Sequence, residues 1–140
     1  MWVALGSNVA SEGRTPLSTV DRAFAALADS GLPVIRRSRI YRTPAFPAGS
    51  GPDFANAVAE VGSGGHAPEE VLAILHRIEA AFGRARAERW GARTLDLDLI
   101  AAGEAIRPDL AGWTEWRDLS PERQRILAPE RLILPHPRLQ

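Results

Sequence analysis

The spacing of apolar residues changes from one segment of the chain to the next, and the changes mark out the elements. Trp2-Val3-Ala4-Leu5 is a short apolar run closed by Gly6-Ser7-Asn8, which predicts a buried strand ending in a turn. Thr15-Pro16 joins a helix N-cap to a proline at the first helical position. Leu17, Val20, Phe24 and Leu27 follow at helical spacing, so the pattern predicts an amphipathic helix over 16–29, ended by Gly31. From Val34 to Tyr41 apolar and basic residues alternate imperfectly, predicting a second strand. Thr43 to Pro52 holds Pro44, Pro47, Gly49, Gly51 and Pro52 and reads as a loop, of a length that in small domains often carries function.

Phe54 to Val61 predicts a third strand, followed by a Gly/Ser turn at 62–65. Pro68-Glu69-Glu70 opens a second helix with acids at its positive end, and Val71, Leu75, Ile78 and Phe82 line one face before Gly83 closes it. Residues 83–93 are a basic loop, and Thr94 to Ile100 alternates strictly at its start, as a strand does. Ala102-Gly103-Glu104 is a turn, and Arg131 to Leu134 is expected to form a short strand. Residues 107–130, with Trp113, Trp116 and several charges, show no assignable period. The order β-α-β-β-α-β gives an α+β class of ferredoxin-like plan, an antiparallel sheet backed by two helices in a single domain over 1–140. That plan hosts many unrelated functions, so the chemistry has to come from particular residues.

Composition narrows the field. Lys+Arg and Asp+Glu are both 17, so the chain lacks the basic excess of a general nucleic-acid binder, and none is expected as a partner. It has no cysteine, which excludes a disulfide framework and thiolate metal ligation. No stretch approaches the roughly 18 apolar residues of a membrane span, and the apolar start lacks a positive n-region. The expectation is a cytoplasmic monomer.

Asp96 and Asp98 stand at i and i+2 of a strand, so both carboxylates leave one face while Leu95, Leu97 and Leu99 leave the other. Like charges this close either stay solvated on an exposed face or share a cation. Mg²⁺ binds through one or two carboxylates and takes its other ligands from water and phosphate. Arg84, Arg86, Arg89 and Arg93 fall just before the acids. Guanidinium groups grip phosphate oxygens, and polyphosphate transfer needs charge neutralisation and positioning above all. A solvated basic loop paired with Glu79 and Glu88 is the plainer reading, and the acids beside it favour the phosphate one.

Trp90 lies within this loop as a packing anchor or a cover for a flat ligand, between Gly83 and Gly91. Phe54 and Asn56 share a strand face, where an aromatic and an amide suit a planar heterocycle; taken alone they read as core and surface. Phe46 adds a second aromatic from the Pro/Gly loop. His136 and Arg138 stand in Leu134-Pro135-His136-Pro137-Arg138, where the prolines hold the backbone extended. Such a segment contacts phosphate or nucleoside, or is an ordinary surface turn. His66 reads as a turn residue, and His76 lies one position off the apolar stripe of the second helix. No Walker A, dinucleotide or metalloprotease fingerprint is present.

The run from Gly83 to Asp98, GRARAERWGARTLDLD, resembles the signature of the 6-hydroxymethyl-7,8-dihydropterin pyrophosphokinases, with Ala92 where that family usually has proline. Ala4-Leu5-Gly6-Ser7-Asn8, Tyr41-Arg42-Thr43-Pro44, Pro52 to Val58 and Leu134 to Arg138 are similar to further blocks of the family, in the same order. The resemblance implies transfer of the β,γ-pyrophosphoryl unit of ATP to the pterin hydroxymethyl group, with two Mg²⁺ ions held by Asp96 and Asp98. It implies a pterin pocket from Thr43, Pro44, Phe46, Phe54, Asn56 and Trp90. Arg84, Arg86 and Arg93 match phosphate contacts, Arg84 and Arg93 with a catalytic share, and His76, Glu79, Leu99, His136 and Arg138 match positions around the nucleotide. Relatives of this kind continue beyond the Pro-His-Pro-Arg block, so the resemblance implies that a C-terminal part is missing after Gln140, and with it the partner that would stack on the pterin opposite Phe54. An alternative from another class is a relative that binds nucleotide or pterin without turnover. Residues 107–130 are longer than the family pattern leads one to expect.

Overall fold

The computed structural model describes residues 1–11, 13–45, 49, 51–83 and 94–138. Five strands and four helices follow one another as β1 (Trp2–Ser7), α1 (Pro16–Asp29), β2 (Val34–Arg37), β3 (Tyr41–Thr43), β4 (Phe54–Val61), α2 (Pro68–Ala81), β5 (Asp96–Ala101), α3 (Leu110–Arg117) and α4 (Pro121–Ile126). The class is α+β. The sheet runs β2-β4-β1-β5, with β3 also pairing β4, and all its pairings are antiparallel. No described helix is long and apolar enough to cross a membrane.

Period-two alternation divides the sheet into two faces. Val3, Leu5, Ala55, Ala57, Ala59, Val61, Leu97 and Leu99 point to one side and join Val20, Phe24 and Leu27 of α1 and Val71, Ile74, Leu75 and Ile78 of α2 in a single core. At about 25 cal/mol per Å² of apolar surface removed from water, this contact is the main favourable term for folding. The opposite face carries Trp2, Ala4 and Gly6 from β1, Phe54, Asn56, Val58 and Glu60 from β4, and Asp96 and Asp98 from β5.

Helix α1 starts as expected. The Thr15 side chain accepts from the Ser18 amide at 3.2 Å, and Pro16 opens the first turn. Its apolar stripe differs from the expectation at one end: Leu17 is 60% exposed, and Thr19 extends the buried row instead. Helix α2 lacks a capping side chain at Ala67, and Glu70 supplies the missing acceptor to the Ala67 amide at 2.8 Å. It ends at Gly83, whose φ of 81° is a left-handed value that residues with a Cβ avoid.

The expected strand from Val34 to Tyr41 is two strands. Between β2 and β3, Ser38 donates its amide to the Val58 carbonyl at 2.9 Å, and its hydroxyl accepts from the Val58 amide at 3.0 Å. A side-chain oxygen thus replaces a ladder carbonyl, and the chain re-enters the sheet at Tyr41 in a new register. The short strand expected at 131–134 is reduced to a bridge in which Arg107 and Leu134 exchange backbone hydrogen bonds of 2.9 and 3.2 Å. Residues 107–130 contain α3 and α4, capped by Asp109 and Ser120.

Glu79 is buried on α2, with 1% of its surface exposed. It accepts from the Leu97 amide at 2.9 Å, on the side of β5 away from β1, and so covers part of an open sheet edge. Glu79→Ala strips a buried amide of its acceptor and should lower unfolding stability by about 2 kcal/mol. Glu79→Gln, which keeps an acceptor oxygen, should cost less. Urea denaturation of the two variants against wild type measures both.

Candidate functional site

A cavity of about 420 Å³ opens on the face of the sheet opposite the helices, lined by Ala4, Leu5, Gly6, Ser38, Tyr41, Thr43, Phe54, Asn56, Ala57, Val58, Asp96 and Asp98. Strand pairing builds it row by row. Asp96 pairs with Gly6, Gly6 with Asn56, and Asn56 with Tyr41. In the next row Asp98 pairs with Ala4, and Ala4 with Val58. The middle strand therefore contributes only small residues, which form a floor between a wall of carboxylates on β5 and a wall with an aromatic ring and an amide on β4.

Raising the floor would displace the Asn56 side chain. A Cβ on Gly6 would lie 2.9 Å from the Asn56 Oδ1 atom. Asn56 is fixed from its other end, donating from Nδ2 to the Thr43 hydroxyl at 2.8 Å. With Nδ2 donating to this hydroxyl, Oδ1 stands over Gly6. Phe54 lies one pairing step away, opposite Thr43. An aromatic face, an oriented amide and a flat floor together accept a planar, hydrogen-bonding ring.

Asp96 and Asp98 are half-buried and project into this cavity from one strand face. Among the described residues no group of three or more His, Cys, Asp or Glu side chains gathers as a metal cage. Two hard carboxylates with open space beside them fit a cation that takes its remaining ligands from water and phosphate, as Mg²⁺ does.

His136 is drawn toward the same carboxylates. Its amide donates to the Ile100 carbonyl on β5 at 2.8 Å. Its Nδ1 accepts from the Arg138 amide at 3.3 Å. A backbone N–H only donates, so Nδ1 carries no proton in this arrangement and the neutral ring holds its proton on Nε2. Burial holds the imidazole pKa below its ordinary value, helped by Arg138 and opposed by Asp98 and Asp96. Arg138 itself donates from its guanidinium to the Gln124 carbonyl on α4 at 2.5 Å.

The structure brings Thr43, Phe54, Asn56, Asp96 and Asp98 to the cavity wall. Pro44 follows β3 directly and is exposed, outside that lining. Three residues that the family resemblance places around the nucleotide are outside the lining of this cavity. Leu99 is 2% exposed and belongs to the core beneath the sheet, because its alternation parity is that of Leu97. The Glu79 carboxylate is interior and bonded to the sheet edge. His76 is exposed on α2, which packs on the face opposite the cavity. Phe46, Arg84, Arg86, Glu88, Arg89, Trp90, Gly91 and Arg93 lie outside the described residues. Ser38, Tyr41 and Val58 line the cavity without having been singled out. The i, i+2 parity that groups Asn56 with Phe54 also includes Val58, whereas Tyr41 and Ser38 follow from the break after β2.

A His136 pKa held below its ordinary value in the fold makes stability depend on pH. Protons favour the unfolded chain, so the contribution of His136 is present above its ordinary pKa of 6.5 and is lost as pH falls below it. Thermal melts between about pH 7.5 and pH 5.5 should therefore fall more steeply for wild type than for His136→Gln.

The sequence matches the 7,8-dihydro-6-hydroxymethylpterin-pyrophosphokinase (HPPK) family over residues 2–140. It is 36% identical over 106 residues to the 2-amino-4-hydroxy-6-hydroxymethyldihydropteridine pyrophosphokinase of Haemophilus influenzae, covering 75% of this chain and 63% of that protein. A protein of the same name from Synechocystis is 36% identical over 139 residues, covering 99% of this chain and 58% of that protein. The mitochondrial folate synthesis bifunctional protein of Pisum sativum is 31% identical over 128 residues, covering 91% of this chain and 24% of that protein. The chain thus spans about three-fifths of the two bacterial relatives. With the match running through all the strands that build the cavity, the chain belongs to the 7,8-dihydro-6-hydroxymethylpterin-pyrophosphokinase family.

Proposed function

We propose that the chain catalyses transfer of a pyrophosphoryl group from ATP to 6-hydroxymethyl-7,8-dihydropterin in folate biosynthesis, giving AMP and the pterin diphosphate. The observation that carries this reading is the arrangement of Asp96 and Asp98 against Phe54 and Asn56 across one cavity in a chain of this family. The names of the relatives support it. The strand order β2-β4-β1-β5, with β2 and β3 counted as one interrupted strand, supports a ferredoxin-like plan for the sheet. We take the protein to act as a monomer in the cytoplasm.

In this reading the pterin ring lies on the Gly6 floor, stacked on Phe54 and read by the Asn56 amide. Its hydroxymethyl oxygen then faces the carboxylate wall. That oxygen forms a bond to the β-phosphorus of ATP, the bond from that phosphorus to the bridging oxygen of the α-phosphate breaks, AMP leaves with the electron pair, and the hydroxyl proton passes to solvent. Asp96 and Asp98 would hold Mg²⁺, two ions in the family pattern, which would supply charge neutralisation at the phosphates. The arginines at 84, 86, 89 and 93 contribute further cationic contacts, and Trp90 covers the bound ring. His136, neutral with its proton on Nε2, presents a donor to a phosphate oxygen. The chemistry needs positioning more than a general base.

Release of AMP from ATP and Mg²⁺ should depend on the pterin; AMP formed equally without it, or none at all, overturns the reading. Asp96→Asn and Asp98→Asn should each lower pterin-dependent AMP release by about 10³-fold, with melting temperature kept within a few degrees, because both carboxylates serve the cavity rather than the core. Phe54→Ala should weaken pterin binding by about tenfold and leave nucleotide binding unchanged, measured by fluorescence titration of each ligand.

A further inference from the structure

Between the bridge residues Arg107 and Leu134 the chain makes an excursion that contains α3 and α4. Its root is closed twice. Arg107 and Leu134 exchange two backbone hydrogen bonds, and the Arg107 Nε atom donates to Glu69 at the start of α2 at 2.8 Å. The entry to α3 is tight: Asp109 accepts from the Gly112 amide at 2.8 Å, and a Cβ on Gly112 would meet the Pro108 ring at 2.9 Å. The excursion is therefore an ordered unit hung from a fixed point directly before Pro135.

Contacts run from this unit to the segment around His136. The Trp113 indole donates from Nε1 to the Pro135 carbonyl at 2.7 Å, and the Gln124 carbonyl accepts from the Arg138 guanidinium. The Arg117 guanidinium stacks 5.0 Å from the Trp113 ring and is itself paired to Asp118 at 2.7 Å, so the indole is held on a face as well as at its edge. Pro135 and Pro137 have no N–H, so the segment offers few backbone groups by which it can be oriented. One is the His136 amide, which is bonded to β5. Another is the Pro135 carbonyl, which is bonded to Trp113. An indole N–H is a donor in one direction only, so this bond sets an angle as well as a distance.

We infer that the α3–α4 excursion is a positioning device for the nucleotide side of the site, and that Trp113 is its positioning residue. Trp113 holds Pro135 so that His136 stays beside Asp96 and Asp98 while Arg138 is kept on the same side by α4. The inference rests on the proposed function, since it assigns His136 and Arg138 to the triphosphate and the opposite wall to the pterin. It follows that disturbing Trp113 changes nucleotide affinity without changing pterin affinity.

The experiment compares wild type, Trp113→Phe and Trp116→Phe, the last controlling for loss of an indole elsewhere on α3. Binding of α,β-methylene-ATP with Mg²⁺ is measured by calorimetry, and KM for ATP, KM for the pterin, kcat and melting temperature are measured alongside. Trp113→Phe keeps an aromatic ring and removes the donor, so nucleotide Kd and KM for ATP should rise about three- to tenfold. kcat, pterin KM and melting temperature should stay near wild type, and Trp116→Phe should change none of the five. Unchanged nucleotide Kd in Trp113→Phe, or equal loss of both ligands with a lowered melting temperature, overturns the positioning role. A wild-type protein that binds the nucleotide analogue but releases no pterin-dependent AMP overturns the proposed reaction, and the ratio of Kd values then still decides the role of Trp113. A wild-type protein that binds no nucleotide overturns both.

Discussion

Strand β1 is hydrogen-bonded on both sides, to β4 and to β5, and everything else in the molecule is arranged around what its two faces must do. One face must be apolar, because it meets α1 and α2: Val3 and Leu5 are buried there to within 1%. The other face must carry almost nothing, because Asn56 comes within 2.9 Å of where a Cβ on Gly6 would sit. A strand with a period of two meets both demands at once by alternating large and small residues. The cavity is thus a direct consequence of core packing: the same register that seats Leu5 against the helices leaves Gly6 and Ala4 as the floor between β4 and β5.

Charge is distributed over this frame by the same alternation. On β5, Leu97 and Leu99 go inward and Asp96 and Asp98 go to the cavity. Two carboxylates on one face raise the local negative potential, which is costly in a half-buried site unless a cation joins them. Beneath the sheet a third acidic residue, Glu79, is fully enclosed and accepts from the Leu97 amide, so it anchors the strand that carries the half-buried pair. Acidic groups on the two sides of one strand therefore have different work, and burial, not residue type, distinguishes them. His136 is a further case: enclosure lowers its pKa beside two acids that act to raise it.

The His136 segment shows how a site is finished by contacts distant in sequence. It reaches β5 through one backbone hydrogen bond and reaches α3 and α4 through Trp113 and Arg138. The excursion that carries those helices has few buried residues of its own, and α3 has none that are fully buried. Its order comes from caps, an antiparallel bridge and an ion pair with α2 at its root. Polar and directional contacts can hold such a unit because each satisfies a group that the turns leave open.

Sequence alone determined what depends on neighbours along the chain. The Thr15-Pro16 cap, the two main helices, the parity of β1 and β5 and the shared face of Asp96 and Asp98 all follow from spacing within a few residues. The family was legible too, because its blocks of residues keep their order. Tertiary structure decided the rest. The break between β2 and β3 depends on a Ser38 hydroxyl meeting a Val58 amide across the sheet. Helices α3 and α4 have no apolar stripe to announce them. Burial of Glu79 and exposure of Leu17 depend on where the helices lie against the sheet. That the aromatic wall of β4 faces the acids of β5 over an empty β1 depends on strand order. Local spacing sets which side of its own element a residue takes, and only the packing of elements sets what stands on that side.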